Sequence, residues 1–358
     1  MLVKGTHTLP KDIRNILLIQ LGDIGDVVLT TPTLRAIREN FPDSHLVIAT
    51  RTKAKGLLED CPWVSKEISI DKRKRPFWQA VRHQKRFFSQ LRDHHFDLAI
   101  ELRTGTRGAV LSCLSGATCR IGRYADGGRL WRNRLFTHLV RPENERSQYA
   151  AEHALNILAP FGLSTKDRSP TLLVSPEKQK RAAAILESEG VSSEKPLVAV
   201  HPFSLWGYKE WGVNGYGDLI NFIGTEYGFP VIITGSPDER DRAEEMRKRC
   251  RVDVFNLAGR TSIEELPAIL KACHLLITVD TGPLHIAAAV DIPTISLFGP
   301  SYSQIWAPRG ESHRVIRKNW PCVPCGEKGC QGSEVSRCLD EMTVQEVKEA
   351  VTRCLSEM

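Results

Sequence analysis

The chain has 358 residues, of which 41% are hydrophobic, 25% charged and 7% aromatic. That length and balance fit a two-domain globular protein that folds on its own core, and they exclude a chain dominated by disorder. The formal net charge of +7 is unevenly spread, with +10 in residues 1–165 and −3 in the remainder. The first half is therefore the part expected to meet something anionic: nucleic acid, a phosphorylated substrate or a membrane surface.

The opening stretch MLVKGTHTLPKDIRN lacks the apolar segment of a signal peptide. The longest apolar runs, LLITV and TISLF, are strand-sized, far short of the ~20 residues of a membrane span. A cytoplasmic protein is expected, and its ten cysteines read as reduced thiols or metal ligands rather than a disulfide framework. In chain order, NILLIQ (15–20), HLVIAT (45–50), KEISI (66–70) and FDLAIEL (96–102) are predicted strands. Helical patterns lie between them at 26–40, 52–60 and 77–93. The stretch 159–176, with Pro160, Gly162, Pro170 and Pro176, reads as a linker. Beyond it come strands at 196–201, 231–235, 254–258, 275–280 and 294–299, separated by helices at 215–227, 238–250, 262–272 and 282–290. A last helix is predicted over 343–356. Continuous apolar strands alternating with helices mean parallel sheets covered on both faces. The expected fold is two doubly wound, Rossmann-like α/β domains, 1–165 and 176–340, facing each other across a cleft. Basic clusters at Lys72–Arg75 and from Arg120 to Arg134 stand out in the first.

Ligands of such folds sit outside the carboxyl ends of the strands. The first strand runs into QLGDIGDVVLTTPTLRAI, where Gly22 and Gly25 bracket a turn and Asp26 opens a helix. Asp26 reads as a helix N-cap or as a carboxylate placed to take a proton from a hydroxyl. The spacing is not the dinucleotide G-x-G-x-x-G, and the second strand ends in Thr50-Arg51 rather than an acidic ribose ligand. In LLITVDTGPLHIAAAV, Asp280, Thr281 and Gly282 close a strand and open a helix, with His285 one turn inside. Free N–H groups at such a helix start, with Thr281 and His285, suit a diphosphate. A protease reading of DTG fails, since that chemistry needs a second copy on a β-rich fold. Two further carboxyl edges add Ser204 and Lys209 as phosphate contacts, and Glu239 as an acceptor for sugar hydroxyls.

The segments LGDIGDVVLTTPTLRAIRENFP, VAVHPFSLWGYKEW, ITGSPDERDRA, NLAGRTSIEEL and VDTGPLHIAAAVDIPTISLFGP resemble, in order, the heptosyltransferase family of lipopolysaccharide core assembly, glycosyltransferase family 9. The resemblance is weakest over 72–150. It implies a GT-B fold, with an N-terminal acceptor domain, a C-terminal donor domain and the segment 341–358 packing back on the first domain. It also implies inverting transfer of heptose from an ADP-sugar with no required metal or cofactor. By position Asp26 matches the general base, and Gly22 and Gly25 its turn. Ser204, Lys209, Glu239, Thr261, Asp280, Thr281, Gly282 and His285 match donor-binding positions. The Ser204–Lys209 loop is one residue longer than in some members, and Asp23 falls at a variable position. The implied acceptor is an anionic lipopolysaccharide core at the inner membrane face, which suits the basic first domain.

The tail carries Cys322-x2-Cys325-x4-Cys330-x7-Cys338. Four thiolates can hold structural zinc. The spacing beyond the first pair follows no standard finger, so ordinary thiols are the favoured reading and no catalytic role is assigned. Transfer from another nucleotide sugar is the nearest alternative function. A basic nucleic-acid-binding protein ranks far below it, because no aromatic stacking platform accompanies the basic residues.

Overall fold

The computed structural model describes the chain except residues 11, 72–75, 127–129, 144, 146, 193 and 357–358. The run Lys72–Arg75 thus lies outside the described residues, as does Arg129 of the second basic cluster. Two compact units are present, Met1–Pro170 and Thr171–Met358.

Among the described residues, the first unit has six strands: β1 (Asn15–Ile19), β2 (His45–Arg51), β3 (Lys66–Ile70), β4 (Leu98–Glu101), β5 (Cys119–Arg123) and β6 (His138–Val140). They form one parallel sheet in the order β3-β2-β1-β4-β5-β6. The second unit repeats the plan with β7 (Val198–His201), β8 (Val231–Ile233), β9 (Val254–Asn256), β10 (Leu275–Val279), β11 (Thr294–Leu297) and β12 (His313–Ile316), ordered β12-β11-β10-β7-β8-β9. The central strands are buried on both faces along nearly their whole length, which is why they read as aliphatic runs. In each unit the winding reverses between the first and fourth strands, β1 beside β4 and β7 beside β10. Loops leaving a reversal point diverge to opposite sides and open a crevice at the carboxyl edge.

Several elements differ from the sequence reading. The helix expected over 26–40 is two helices, Ile24–Val28 and Thr31–Asn40. Pro32 has no N–H to give the turn before it, so the helix cannot run through. Thr31 Oγ1 donates to the Val28 carbonyl at 2.8 Å instead. The 52–60 helix reduces to one 3-10 turn, Thr52–Ala54. Strands β5, β6 and β12 were not anticipated. CRIGR and HRVI mix charge with apolar residues and HLV is three residues long, so none carries the apolar run by which the others were recognised.

The last helix, Val344–Ser356, lies in the second unit. Its apolar stripe, Val347, Ala350, Val351, Cys354 and Leu355, is built into the core of that unit with Tyr216, Leu219, Ile220 and Ile223. The i, i+3, i+4, i+7 spacing makes one face, and the helix Val213–Tyr227 offers the matching one. Trp211 Nε1 donates to the Met342 carbonyl at 2.9 Å and Lys318 Nζ pairs with Glu346 at 2.8 Å, tying down the start of the helix.

Candidate active site

In the first unit the turn after β1 carries Gly22 and Asp23, and the short helix Ile24–Val28 that follows carries Gly25 and Asp26. Asp26 Oδ2 accepts the Asp23 N–H at 2.8 Å and pairs with Arg103 Nη1 at 2.7 Å. Arg103 follows β4, so this pair spans the reversal point. A Cβ on Gly22 would lie 2.3 Å from Asp26 Oδ2 and 2.6 Å from Arg103 Nη1, so only glycine lets the backbone pass this close. The Asp26 carbonyl is held as well, by Thr30 Oγ1 at 2.7 Å and Gln20 Nε2 at 3.4 Å. Asp26 is thereby oriented from both its backbone and its side chain while its side chain stays 22% exposed. Among the described residues both side-chain contacts fall on Oδ2, and Oδ1 carries none.

Asp23 is engaged differently. Arg51 Nη1 reaches its Oδ1 at 3.1 Å, and Lys53 donates to the same oxygen. Burial works to raise this carboxyl, but Lys53, Arg51 and Arg103 outweigh it and hold it below the usual carboxylate range. Behind the loop lies a buried pair, Glu101 with Arg132, neither more than 2% exposed. Arg132 also donates to the carbonyls of Arg103 at 2.7 Å and Arg123 at 2.6 Å. It therefore fixes the backbone that presents Arg103. The sequence reading missed Arg103, Arg51, Glu101 and Arg132. Applying the carboxyl-edge rule to the segment after β4 would have found Arg103.

In the second unit Lys209, in the 3-10 turn Gly207–Lys209 after β7, places Nζ 2.6 Å from Asp280 Oδ2 at the end of β10. This pair too spans a reversal point, and the structure brings together two residues that the sequence reading had singled out separately. Thr281 is the N-cap of Gly282–Ala289, and His285 lies inside that helix, only 5% exposed. The other expected contacts occupy neighbouring carboxyl edges. The Ser204 N–H donates to Glu210 Oε1 at 3.0 Å, and Arg242 grips Glu210. Glu239 closes its own turn by accepting the Ser236 N–H at 2.6 Å. Thr261 lies in the loop after β9, partly exposed. Under these loops His201 is buried, 3.0 Å from Thr234 Oγ1. Burial pushes its pKa down to about 4, against the pull of Glu239 and Glu210. Nothing in the sequence had marked it.

The tail cysteines differ in setting: Cys322 and Cys325 are exposed, Cys330 half-buried and Cys338 buried. Burial pushes the Cys338 thiol up to about 11, with Cys330 and Cys325 adding to the effect. Among the described residues no group of three or more His, Cys, Asp or Glu is placed to hold a metal ion.

The family model for glycosyltransferase family 9 (heptosyltransferase) matches residues 84–335. Lipopolysaccharide heptosyltransferase 3 of Escherichia coli is 28% identical over 289 residues, covering 79% of this chain and 83% of the relative. A glycosyltransferase family 9 structure from Veillonella parvula superposes with a TM-score of 0.84 at 20% identity, covering 98% of this chain and 99% of that one. The Escherichia coli heptosyltransferase WaaC, solved with ADP-2-deoxy-2-fluoro heptose, superposes at 0.73 with 19% identity, covering 95% and 99%. Two Rossmann-like units in one chain make the GT-B fold shared with these structures. The chain belongs to glycosyltransferase family 9, the heptosyltransferases.

Proposed function

We propose that the protein transfers heptose from ADP-heptose to the inner core of lipopolysaccharide with inversion at the anomeric carbon, using Asp26 as general base. The observation that carries this reading is the state of Asp26. One carboxylate oxygen is anchored to Arg103 and the Asp23 N–H, and the other is left for an acceptor hydroxyl. The hydroxyl oxygen attacks the anomeric carbon from the face opposite the diphosphate while Asp26 takes its proton. The carbon–oxygen bond to the diphosphate breaks, and its electron pair departs with ADP. In this reading the first unit binds the acceptor and the second the donor. Lys209, the N–H groups opening Gly282–Ala289, and His285 meet the charge that develops on ADP, so no metal is required. Asp280 holds Lys209 in place; Ser204, Glu239 and Thr261 contact the rest of the donor.

The named relatives supply the donor and acceptor classes. The excess of Lys and Arg in the first unit supports an acidic acceptor and work at the inner membrane face, on the cytoplasmic side. Among the described residues no helix is long and apolar enough to cross a membrane. The helix Phe77–Arg92 exposes Arg82, Lys85 and Arg86, which suit an anionic surface. The direct test incubates the purified protein with ADP-heptose and a defined lipopolysaccharide-core acceptor and reads the product mass. One added heptose with release of ADP is expected. Transfer from a different nucleotide sugar but not from ADP-heptose would overturn the donor assignment.

A further inference from the structure

A cavity of about 320 Å3 opens in the first unit beside Arg103, the partner of Asp26, and is lined by Arg51, Glu101, Arg103, Arg107, Gly105 and Gly108 among others. Its walls are unusual in being cationic at three points drawn from three elements. Arg51 ends β2, Arg103 follows β4, and Arg107 is in the first turn of the helix Thr106–Leu114. Each guanidinium is already partly engaged. Arg51 holds Asp23 at 3.1 Å, Arg103 holds Asp26 at 2.7 Å, and Arg107 Nη2 donates to the Asp71 carbonyl at 3.2 Å. Each guanidinium has five N–H donors, so these contacts leave capacity on all three. Arg51 Nε is buried, with no hydrogen-bond partner among the described residues. A donor left in that condition costs free energy unless a ligand satisfies it.

The cavity is also built rather than accidental. Buried Arg132, paired with Glu101, holds the Arg103 carbonyl at 2.7 Å, and a Cβ on Gly108 would strike Glu101 Oε1 at 2.4 Å. With Lys53 included and Arg132 offset by Glu101, cations outnumber the carboxylates Asp23 and Asp26 around the opening.

We infer that this cavity is an oxyanion subsite that binds an acidic group of the acceptor, a carboxylate or a phosphate monoester, through Arg51, Arg103 and Arg107, beside the hydroxyl to be glycosylated. The inference rests on the proposed acceptor role of the first unit and deepens it. A compact oxyanion matches guanidinium geometry at two oxygens. Arg103 belongs to both sites at once: it binds the anion and holds Asp26. It is thus a positioning residue for the base, and recognition of the acceptor's charge is linked to the orientation of the carboxylate.

The test uses Arg51→Gln, Arg107→Gln and the double variant, all in the full chain; Arg103 is set aside because its loss would also release Asp26. With an acidic acceptor, the double variant is expected to raise the acceptor KM at least about tenfold, the scale of one charge-assisted hydrogen bond. Donor KM should be unchanged and kcat should stay within about twofold. With an acceptor whose acid is esterified or removed, wild type and double variant should share one KM. Acceptors bearing only a carboxylate or only a phosphate identify which group is read. Equal KM values for wild type and double variant on the acidic acceptor would overturn the subsite. A separate arm needs no turnover: inorganic phosphate should shift the backbone amide resonances of Gly105 and Gly108 in wild type and not in the double variant. No shift in wild type overturns the subsite as well. Should wild type bind phosphate here yet transfer no heptose, the proposed activity fails and the anion site stands.

Discussion

Asp26 and Lys209 are alike in being held by a partner of opposite charge across a reversal of strand order, and each arrangement makes a different consequence measurable. Asp26→Asn keeps the volume and an oxygen for the Asp23 N–H but removes the basicity. It should leave unfolding and ADP-heptose affinity close to wild type and lower kcat by at least about a hundredfold, the usual scale for loss of a general base. An unchanged kcat in single-turnover measurements would remove Asp26 from the base role. Asp280→Ala, by contrast, frees the Lys209 ammonium from its 2.6 Å partner. Calorimetry should find weaker ADP-sugar binding for it and for His285→Ala. Untouched affinity in both would move the donor site elsewhere. His201 adds a pH effect. Its folded-state pKa of about 4 lies below the ordinary value of about 6.5, so the unfolded chain takes up a proton that the folded chain refuses. Stability should therefore fall as pH drops from about 6.5 towards 4, with no contribution from this group above that window. Urea midpoints at pH 7 and pH 4.5 check it: His201→Gln should narrow the gap between them.

At the level of elements, the turn that presents Arg103 to Asp26 depends on contacts that no single element contains. The β4 turn owes its shape to Arg132, a residue from the helix Leu130–Asn133 that is fully buried and paired with Glu101. Burial pushes the Glu101 carboxyl above its usual range, and Arg132 opposes the rise. Arg132→Leu should cost roughly 3–5 kcal/mol of stability, as removal of one partner from a buried pair does. It should also lower transfer through loosened support of Arg103. Denaturant titration with circular dichroism measures the first effect, and a midpoint equal to wild type would mean the pair is dispensable. Local sequence made the long elements legible. Buried strands such as NILLI and LLITV are dominated by aliphatic residues, and the helix Val213–Tyr227 runs to Gly228, which takes a left-handed conformation (φ 65°) to end it. It misled where one residue overrides periodicity, as Pro32 does, and it was silent over β5 and β6, whose residues take strand geometry only because neighbouring strands pair with them.

At the scale of the molecule, the same six-strand order is used twice, with the roles of the charges exchanged. After its first strand, one unit places a carboxylate against a cation that follows its fourth. The other places a cation against a carboxylate. Under the proposed mechanism, neutralisation of the leaving diphosphate falls to Lys209, His285 and backbone N–H groups, none of which a chelator removes. EDTA should therefore leave initial transfer rates unchanged. A prompt loss of activity restored by magnesium or manganese would contradict that mechanism.

That the chain is two α/β units built from buried parallel strands can be read from its letters, because apolar runs and their breaks are local properties. The letters also mark Asp26, Lys209, Asp280 and His285, since strand ends with Asp, Gly or Lys are legible residue by residue. Which of these residues meet, and what supports them, depends on the assembled fold. Arg103 is 77 residues from Asp26 and Lys209 is 71 from Asp280. Each partnership exists because parallel register aligns the carboxyl ends of two strands that the chain visits far apart. Likewise, the apolar stripe of the last helix is visible in the letters, but the face it covers is set by where the helix Val213–Tyr227 leaves its own side uncovered. Charge pairing and face matching over such separations depend on the assembled sheet, and local sequence carries no record of it.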